Sequence, residues 1–235
     1  MKAISSMATR HVLADLTEAA AAAGLPHVDV ESVGGVDAAQ RVAAGEQCDL
    51  VFLAADALER LAAAGHVDAA SVVPLVLSQV AVAVPSGTDD PAPAPTTAGF
   101  ADAAGVRAAL RDAHRIGYST GPSGTALLAL IEEWGLTAEL GDRLVQARPG
   151  IPVARSLADG DVDLGFQQLS ELAGQPGMRI LGVLPADCAI DTVFSGAVAA
   201  VSEDADAARR MLAFLSSDAV AQIKTAHSFD VPAAP

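Results

Sequence analysis

The stretch HRIGYSTGPSGTALLAL, residues 114–130, decides the fold of this chain. A strand is predicted over Ile116–Tyr118, a turn rich in glycine and hydroxyl groups follows over residues 119–124, and a helix begins at once. A helix N-terminus carries unpaired N–H donors and a partial positive charge, so a small anion is its natural ligand. An ordinary βα loop needs the same small residues for its shape, and this loop alone leaves both interpretations open.

Strands and amphipathic helices alternate on both sides of this stretch, which predicts an α/β fold with parallel pairing and right-handed crossovers. The other predicted strands are residues 2–5, 28–33, 49–54, 72–84, 144–147, 163–166, 178–184 and 191–201. The other predicted helices are residues 9–23, 36–44, 56–65, 100–113, 151–158 and a long final helix at 203–226.

The order of these elements predicts two lobes with a central cleft. Lobe I comprises residues 1–83 plus 191–235, and lobe II comprises residues 84–190. The chain then crosses twice through strand-rich segments, which is the arrangement of a hinge that closes on a ligand. Strand C-termini and helix N-termini are expected to face the cleft.

Composition limits the possible partners. Half of the 235 residues are apolar, so the chain is long and apolar enough for a globular core. The net charge of −15 argues against nucleic acid and gives no support to binding at an anionic membrane surface. An anionic ligand must therefore be held by local donors, such as helix ends and a few arginines. Cys48 and Cys188 are predicted to be two buried thiols.

No membrane-spanning run and no export signal are visible, so the chain as given is expected to be cytoplasmic. A mature form that has lost its leader would instead be periplasmic or otherwise extracytoplasmic. No cofactor and no metal site are predicted, because the five histidines are dispersed and Cys-x2-Cys is absent. The phosphate-binding loop that ends in Gly-Lys-Ser/Thr and the Gly-x-Ser-x-Gly nucleophile elbow are absent too.

Five segments resemble the successive ligand loops of the molybdate-binding protein family, within the type II periplasmic-binding-protein superfamily. These segments are SSMAT at residues 5–9, GGVD at 34–37, DLVFLAAD at 49–56, the turn at 117–124 and LGFQQLS at 164–170. The resemblance spans nearly the whole chain. It implies a Venus-flytrap fold that closes on a small oxyanion through hydroxyls and backbone amides, with an ABC permease as partner if the protein is exported.

Two departures from that family pattern favour a planar carboxylate as the ligand. Arg10 and His11 follow the first loop, and Gln167 with Gln168 stand where the family often has a tyrosine. An arginine charge and amide groups match the geometry of a carboxylate. The chain also resembles the aconitate isomerase branch of the superfamily, which uses this fold on a tricarboxylate.

The predicted ligand-binding residues lie at strand ends and helix starts. They are Ser5, Ser6, Met7, Ala8, Thr9, Arg10, Gly34, Gly35, Val36, Ser119, Thr120, Ser123, Gly124, Pro149, Ile151, Gln167 and Gln168. His11 and Tyr118 are candidate proton-transfer residues, although a structural role is an alternative for each. One of the two glutamines is expected to face the ligand, and the other to pack against Ser170.

Three functions remain open from the sequence. The first is binding of a small anion, most simply an organic di- or tricarboxylate, with allylic isomerisation of that carboxylate as a possible activity. The alternative is a molybdate or oxyanion-binding protein of an ABC importer. The third is a regulatory effector domain of the same fold, although no helix-turn-helix or basic arm is visible in the chain.

Overall fold

The computed structural model describes residues 1–87, 95–148 and 151–232. The chain divides into two compact units. Unit 1 consists of Met1–Leu77 with Val193–Pro235, and unit 2 is Ser78–Thr192.

Strands and helices alternate in both units, as the hydrophobic pattern predicts. The strands are β1 (Lys2–Ser6), β2 (Asp29–Val33), β3 (Leu50–Ala54), β4 (Val73–Pro85), β5 (Ile116–Tyr118), β6 (Leu144–Gln146), β7 (Leu164–Gln168), β8 (Met178–Val183) and β9 (Asp191–Val198). The α-helices are α1 (Arg10–Ala22), α2 (Gly35–Ala43), α3 (Ala55–Ala63), α4 (Ala103–Asp112), α5 (Pro122–Glu133), α6 (Thr137–Leu140), α7 (Val153–Ala158), α8 (Leu169–Leu172), α9 (Ala205–Ser216) and α10 (Ala221–Ala226).

The sheet of unit 1 brings three helix starts to one edge. β1 pairs in parallel with β2 and with β3, so that Ser6 lies opposite Val33 and Ser5 opposite Phe52. β9 pairs antiparallel with the other side of β3. Parallel strands end at the same edge of a sheet. α2 and α3 follow β2 and β3 there, and a short 3-10 turn, Met7–Thr9, leads from β1 into α1.

Helices cover both faces of this sheet, and β3 is therefore buried along its whole length. Phe52 packs with Leu16 of α1 and Met211 of α9 on one face. On the other face, Leu53 packs with Leu58 of α3. The continuous apolar run LVFLA is what a parallel strand needs when both of its faces are covered.

The sheet of unit 2 uses the same principle. β5 pairs in parallel with β6 and β7, and β4 pairs antiparallel with β7 and β8. Tyr118, at the end of β5, lies opposite Gln146 and Phe166. The carboxyl ends of β5, β6 and β7 thus share one edge, and α5, α7 and α8 follow these strands in turn. This edge carries the predicted residues of unit 2.

The long C-terminal helix predicted at residues 203–226 is in fact two helices. α9 ends at Ser216, a 3-10 turn covers Asp218–Val220, and α10 starts at Ala221. Ser217 is extended, with φ −75° and ψ 161°, and its hydroxyl donates to the carbonyl oxygen of Phe214. Serine side chains compete with the helical hydrogen bonds in this way. The apolar spacing continues past Ser217, but the helix does not.

Both cysteines are buried free thiols, as predicted from the sequence. Cys48 belongs to unit 1 and Cys188 to unit 2. Burial raises the pKa of each thiol to about 11. Both thiols therefore remain protonated, and poorly nucleophilic, at neutral pH.

Lys224 is a buried cation within unit 1, and we expect its replacement by methionine to stabilise the protein. Its side chain is 1% exposed, and no group among the described residues accepts a hydrogen bond from its ammonium. Burial lowers the pKa of Lys224, and attraction to Asp218 acts in the opposite direction. A lowered folded-state pKa means that the charged form disfavours folding at neutral pH. We expect Lys224→Met to add about 1 kcal/mol to the free energy of unfolding at pH 7, because it removes the cost of burying the charge. The gain is no larger because solvent screening and attraction to Asp218 already reduce that cost.

The sign of the lysine effect gives a pH test. The gain in the free energy of unfolding from Lys224→Met should shrink as the pH rises towards 10.5, the pKa of an unperturbed lysine. At that pH Lys224 also loses its proton in the unfolded chain, so its charge no longer favours unfolding. Urea unfolding at pH 7 and pH 10 measures both values. Lys2 is the other lysine of the chain and is exposed, so Lys2→Met is the control and should change the free energy of unfolding little. A Lys224→Met protein that is less stable than wild type at pH 7 would contradict this account.

Candidate functional site

Ser5 and Ser6 end β1 at the edge where α1 and α2 begin, and both are buried. The Ser5 hydroxyl lies 2.7 Å from the hydroxyl of Ser32 on β2. The Ser6 hydroxyl oxygen is also buried, but it has no hydrogen-bond partner among the described residues. Buried hydroxyls nearly always have a partner. The Ser6 hydroxyl is therefore free to bond to a ligand atom or to water.

The start of α2 lies directly beside Ser6. Gly34 precedes the helix, and a Cβ atom on Gly35 would lie 3.7 Å from the Cβ atom of Ser6. Glycine at these positions leaves the backbone of the first turn uncovered. Met7 and Val36 are large apolar side chains that are exposed at this edge. The structure thus brings two predicted loops, residues 5–9 and 34–36, together within unit 1.

Thr9 and its neighbours form the short turn before α1. The Thr9 hydroxyl is buried and donates to the carbonyl oxygen of Ser6 at 3.2 Å, whereas Ala8 is partly buried. The Thr9 side chain therefore supports the end of β1. The Ser6 hydroxyl, in contrast, has no partner among the described residues.

Arg10 and His11 form an exposed pair in the first turn of α1. Nη2 of Arg10 lies 3.0 Å from Nε2 of His11. A guanidinium can only donate, so Nε2 is the acceptor in this contact. A neutral imidazole can serve as a base. While this contact is made, Nε2 of His11 is occupied as an acceptor.

The loop between β5 and α5, residues 119–124, presents free backbone donors. The N–H groups of Thr120, Gly121 and Ser123 donate to no acceptor within the described part of the chain. They lie at the N-terminus of a 12-residue helix, where the partial positive charge of the helix adds to the donors. Such a set of donors favours a small oxygen anion.

Two buried hydroxyls support the same loop. Oγ of Ser119 lies 2.8 Å from Oγ of Ser123, and the N–H of Gly124 donates to Oγ of Ser119 at 3.2 Å. When two hydroxyls form one hydrogen bond, one of them donates its proton and the other accepts. The second proton is therefore available to a ligand, which makes this pair a neutral donor.

Two other predicted residues, Tyr118 and Ile151, lie near the same edge of unit 2. Tyr118 is half-buried and packs against the core cluster that includes Leu127. Ile151 is exposed just before α7, and its N–H donates to the carbonyl oxygen of Arg148 at 2.9 Å. Pro149 lies outside the described residues. Tyr118 and Ile151 thus lie at the edge, and no contact within the described residues assigns a role to either.

Gln167 holds the start of α7. Its Oε1 accepts a hydrogen bond from the N–H of Val153, the first residue of that helix, at 2.8 Å. Glu171 on α8 interacts with the same side chain. Burial raises the pKa of Glu171, and this interaction acts in the opposite direction. Both glutamines lie inside β7, whereas the sequence placed them at its exit.

Gln168 is the more available of the two glutamines. Its side chain is 2% exposed, and its Nε2 contacts the hydroxyl of Thr192 at 2.8 Å. Its Oε1 is buried and has no partner among the described residues. The hydroxyl of Ser170, which is the predicted neighbour of one of the two glutamines, lies 3.4 Å from the hydroxyl of Ser78. Gln168 therefore has an unused polar atom, whereas Oε1 of Gln167 is engaged by the N–H of Val153.

The donors at these edges are mostly neutral. In the described ranges, no group of three or more His, Cys, Asp or Glu side chains could hold a metal ion. Within those same ranges, no helix has the length and apolar character that crossing a bilayer requires. Hydroxyls, amides and helix N-termini can bind a small anion by hydrogen bonds even on a chain with a net charge of −15.

Two residues of these edges, Glu171 and Thr192, have little or no signal in the sequence. Glu171 stands in the run LSEL, and a single acidic residue among apolar ones right after a strand was its only sequence signal. Thr192 had no local signal, because the residue that it contacts lies 24 positions earlier in the chain.

Sequence comparison matches the chain to a known family and to a named relative. The family model described as "Bacterial extracellular solute-binding protein" matches residues 1–230. An aconitate isomerase from a Pseudomonas species is 36% identical over 199 residues, which cover 83% of this chain and 72% of that protein.

Solved structures share the fold. The periplasmic molybdate-binding protein of Azotobacter vinelandii superposes with a TM-score of 0.76 at 19% identity, covering 99% of each chain. The substrate-binding domain of a putative molybdenum ABC transporter from Clostridium difficile gives a TM-score of 0.75 at 15% identity, covering 99% of this chain and 98% of that one. The chain therefore has the two-lobed type II periplasmic-binding-protein fold, as the resemblance of its loops implies. It belongs to the bacterial extracellular solute-binding protein family.

Proposed function

We propose that this protein binds a small organic di- or tricarboxylate. The observation that carries the proposal is the 119–124 loop, where three N–H groups at a helix N-terminus lack acceptors among the described residues. In unit 1, the unpartnered Ser6 hydroxyl beside the start of α2 supports it. The predicted hinge closure on the ligand stays part of this proposal.

A carboxylate fits the available groups better than a tetrahedral dianion does. Arg10 offers a planar fork of donors, and its only side-chain partner among the described residues is His11. The amide of Gln168 adds a further polar group at the edge of unit 2. The identity of 36% with an aconitate isomerase supports the same class of ligand.

Isomerisation is the activity that we propose for the bound carboxylate. A base removes a proton from the carbon next to a carboxylate, the double bond shifts along the allylic system, and a proton is returned to the far carbon. The reaction needs no oxidant and no cofactor. His11 and Tyr118 are the proposed proton carriers, and the free N–H groups of the 119–124 loop would stabilise the charge that develops.

The alternative proposal is a molybdate or other oxyanion-binding protein that delivers its ligand to an ABC permease. The observation that favours it is the neutral character of the 119–124 loop, which offers N–H and hydroxyl donors only. Neutral donors at a helix N-terminus suffice for a tetrahedral oxyanion.

A thermal-shift panel followed by a hydrogen-exchange assay separates these functions. We expect citrate or trans-aconitate, at a hundredfold excess over its dissociation constant, to stabilise the protein by about 2.7 kcal/mol. Molybdate and sulfate at the same concentration should stabilise the protein less. We further expect the protein to exchange a substrate proton of trans-aconitate with D₂O, as followed by NMR. His11→Ala or Tyr118→Phe should slow this exchange by roughly 100-fold.

Each other outcome points to one alternative. Stabilisation by molybdate alone would replace the carboxylate proposal with the oxyanion-binding protein. Tight carboxylate binding without any proton exchange would leave a binding protein without isomerase activity. Stabilisation by none of these anions would refute anion binding altogether.

A further inference from the structure

The side chain of Gln168 is fully buried at the end of β7 and uses only one of its two polar ends. One terminal atom of its amide contacts the Thr192 hydroxyl at 2.8 Å, and the other is buried without a partner among the described residues. The neighbouring Gln167 differs in this respect, because its Oε1 already accepts a hydrogen bond from the N–H of Val153. An unpaired buried amide end is unusual in a folded protein and points to a missing partner.

Thr192 can keep its contact with either end of the amide. A hydroxyl accepts a hydrogen bond from an amide nitrogen as readily as it donates one to an amide oxygen. Thr192 has no other side-chain hydrogen bond within the described residues, so its own proton is available. A half-turn of the amide would therefore preserve this contact and exchange the group presented to a ligand.

The two amide orientations select different ligands. With the oxygen unpaired, Gln168 needs a ligand that donates, such as a hydroxyl group. With the nitrogen unpaired, it offers two N–H donors to a ligand that accepts, such as a carboxylate oxygen. A carboxylate that is ionised at neutral pH has no proton to donate.

We propose that Thr192 donates its hydroxyl proton to Oε1 of Gln168, and that the amide nitrogen of Gln168 thereby donates to an oxygen of the bound anion. This inference rests on the proposed function and assigns to Thr192 a positioning role in it. The same edge of unit 2 already presents N–H and hydroxyl donors from the 119–124 loop. A further donor completes a site for an acceptor-only ligand, whereas an unpaired oxygen would repel the anion.

The proposal predicts how the ligand is recognised. A hydroxyl on the ligand should be unnecessary, because the position next to Gln168 takes an acceptor. Citrate and tricarballylate, which differ in one hydroxyl group, should bind to the wild-type protein within about threefold of each other. Gln168→Glu replaces the donor by a carboxylate and should weaken the binding of any anion by roughly 100-fold.

The test is calorimetric titration of four proteins with citrate, tricarballylate and molybdate. The proteins are wild type, Gln168→Glu, Thr192→Val and Thr192→Ser. Thr192→Val keeps the shape but cannot orient the amide, and we expect roughly tenfold weaker binding. Thr192→Ser restores the hydroxyl and should restore affinity, which a role of Thr192 in packing alone would not produce. If Gln168→Glu does not fold, this pair of Thr192 variants still decides the question.

Failure of this inference and failure of the proposed function have different signatures. If wild type binds citrate more than tenfold tighter than tricarballylate, and Gln168→Glu retains citrate, Oε1 accepts from the ligand and the inference is wrong. Undiminished anion affinity in a folded Gln168→Glu protein, or equal affinity in wild type and Thr192→Val, also overturns it while anion binding stands. If the wild-type protein binds none of the three anions, the proposed function and this inference fall together.

Discussion

Replacing Gly124 by alanine is expected to lower the free energy of unfolding by about 3 kcal/mol and to abolish anion binding. A Cβ atom on Gly124 would overlap the carbonyl oxygen of Ser119, which belongs to the backbone and cannot rotate away as a side chain could. The N–H of Gly124 also donates to Oγ of Ser119. The added methyl group must therefore push apart the two ends of the 119–124 loop, and the free N–H groups would lose their arrangement.

Gly121→Ala is the matched control for this substitution. Gly121 lies in the same loop with a φ of −86°, and a Cβ atom there would meet only Oγ of Ser119, at 4.0 Å. We expect a cost of about 1 kcal/mol or less, the usual effect of alanine at the position before a helix. Urea unfolding followed by the fluorescence of Trp134, the single tryptophan, measures both variants. A Gly124→Ala protein as stable as Gly121→Ala would show that the loop is not closely packed around Gly124.

Local patterns account for most of the fold that could be predicted from the sequence. The apolar run at β3 indicates a strand covered on both faces, and helices do cover both of its faces. The 119–124 loop was predicted as a strand-to-helix turn because its glycines, serines and proline have strong local preferences. These features depend on neighbours within a few residues, which a single sequence displays directly.

Contacts between distant residues set the limit of that prediction. Gln167 was expected at the exit of a strand, but its amide holds the start of α7, 14 residues earlier in the chain. Lys224 was placed in a helix without any indication that it would be buried. The break at Ser217 was missed because the apolar spacing on both sides of it continues the same helical pattern. In each case the partner or the burial is decided by tertiary packing.

The candidate site likewise has features that depend on local sequence and features that depend on contacts between distant residues. Loops with glycine and hydroxyl residues were identified from the sequence because their chemistry is local. The unpartnered atoms of Ser6 and Gln168 became visible only when burial and hydrogen bonds were known for every described neighbour. The sequence therefore located the loops, and the structure indicates which groups in them remain available to a ligand.

Ser123 gives the second large effect, because it contributes both a hydroxyl and a free N–H to the 119–124 loop. We expect Ser123→Leu to weaken binding of the preferred anion by roughly 100-fold or more, since the larger side chain removes a donor and crowds the first turn of α5. Ser123→Ala, which removes the hydroxyl alone, should weaken binding by roughly tenfold. Isothermal titration calorimetry measures the affinities, and urea unfolding checks that each variant is folded.

Thr125→Leu is the control for the change in size on the same helix. Thr125 is exposed, so its replacement should leave the affinity for the anion within about twofold of wild type. We thus expect a large loss of affinity for Ser123→Leu, a smaller loss for Ser123→Ala and none for Thr125→Leu. This order distinguishes a ligand contact from a general disturbance of α5. A folded Ser123→Leu protein that binds the anion as tightly as wild type would remove this loop from the binding site, and with it the observation on which the proposed function rests.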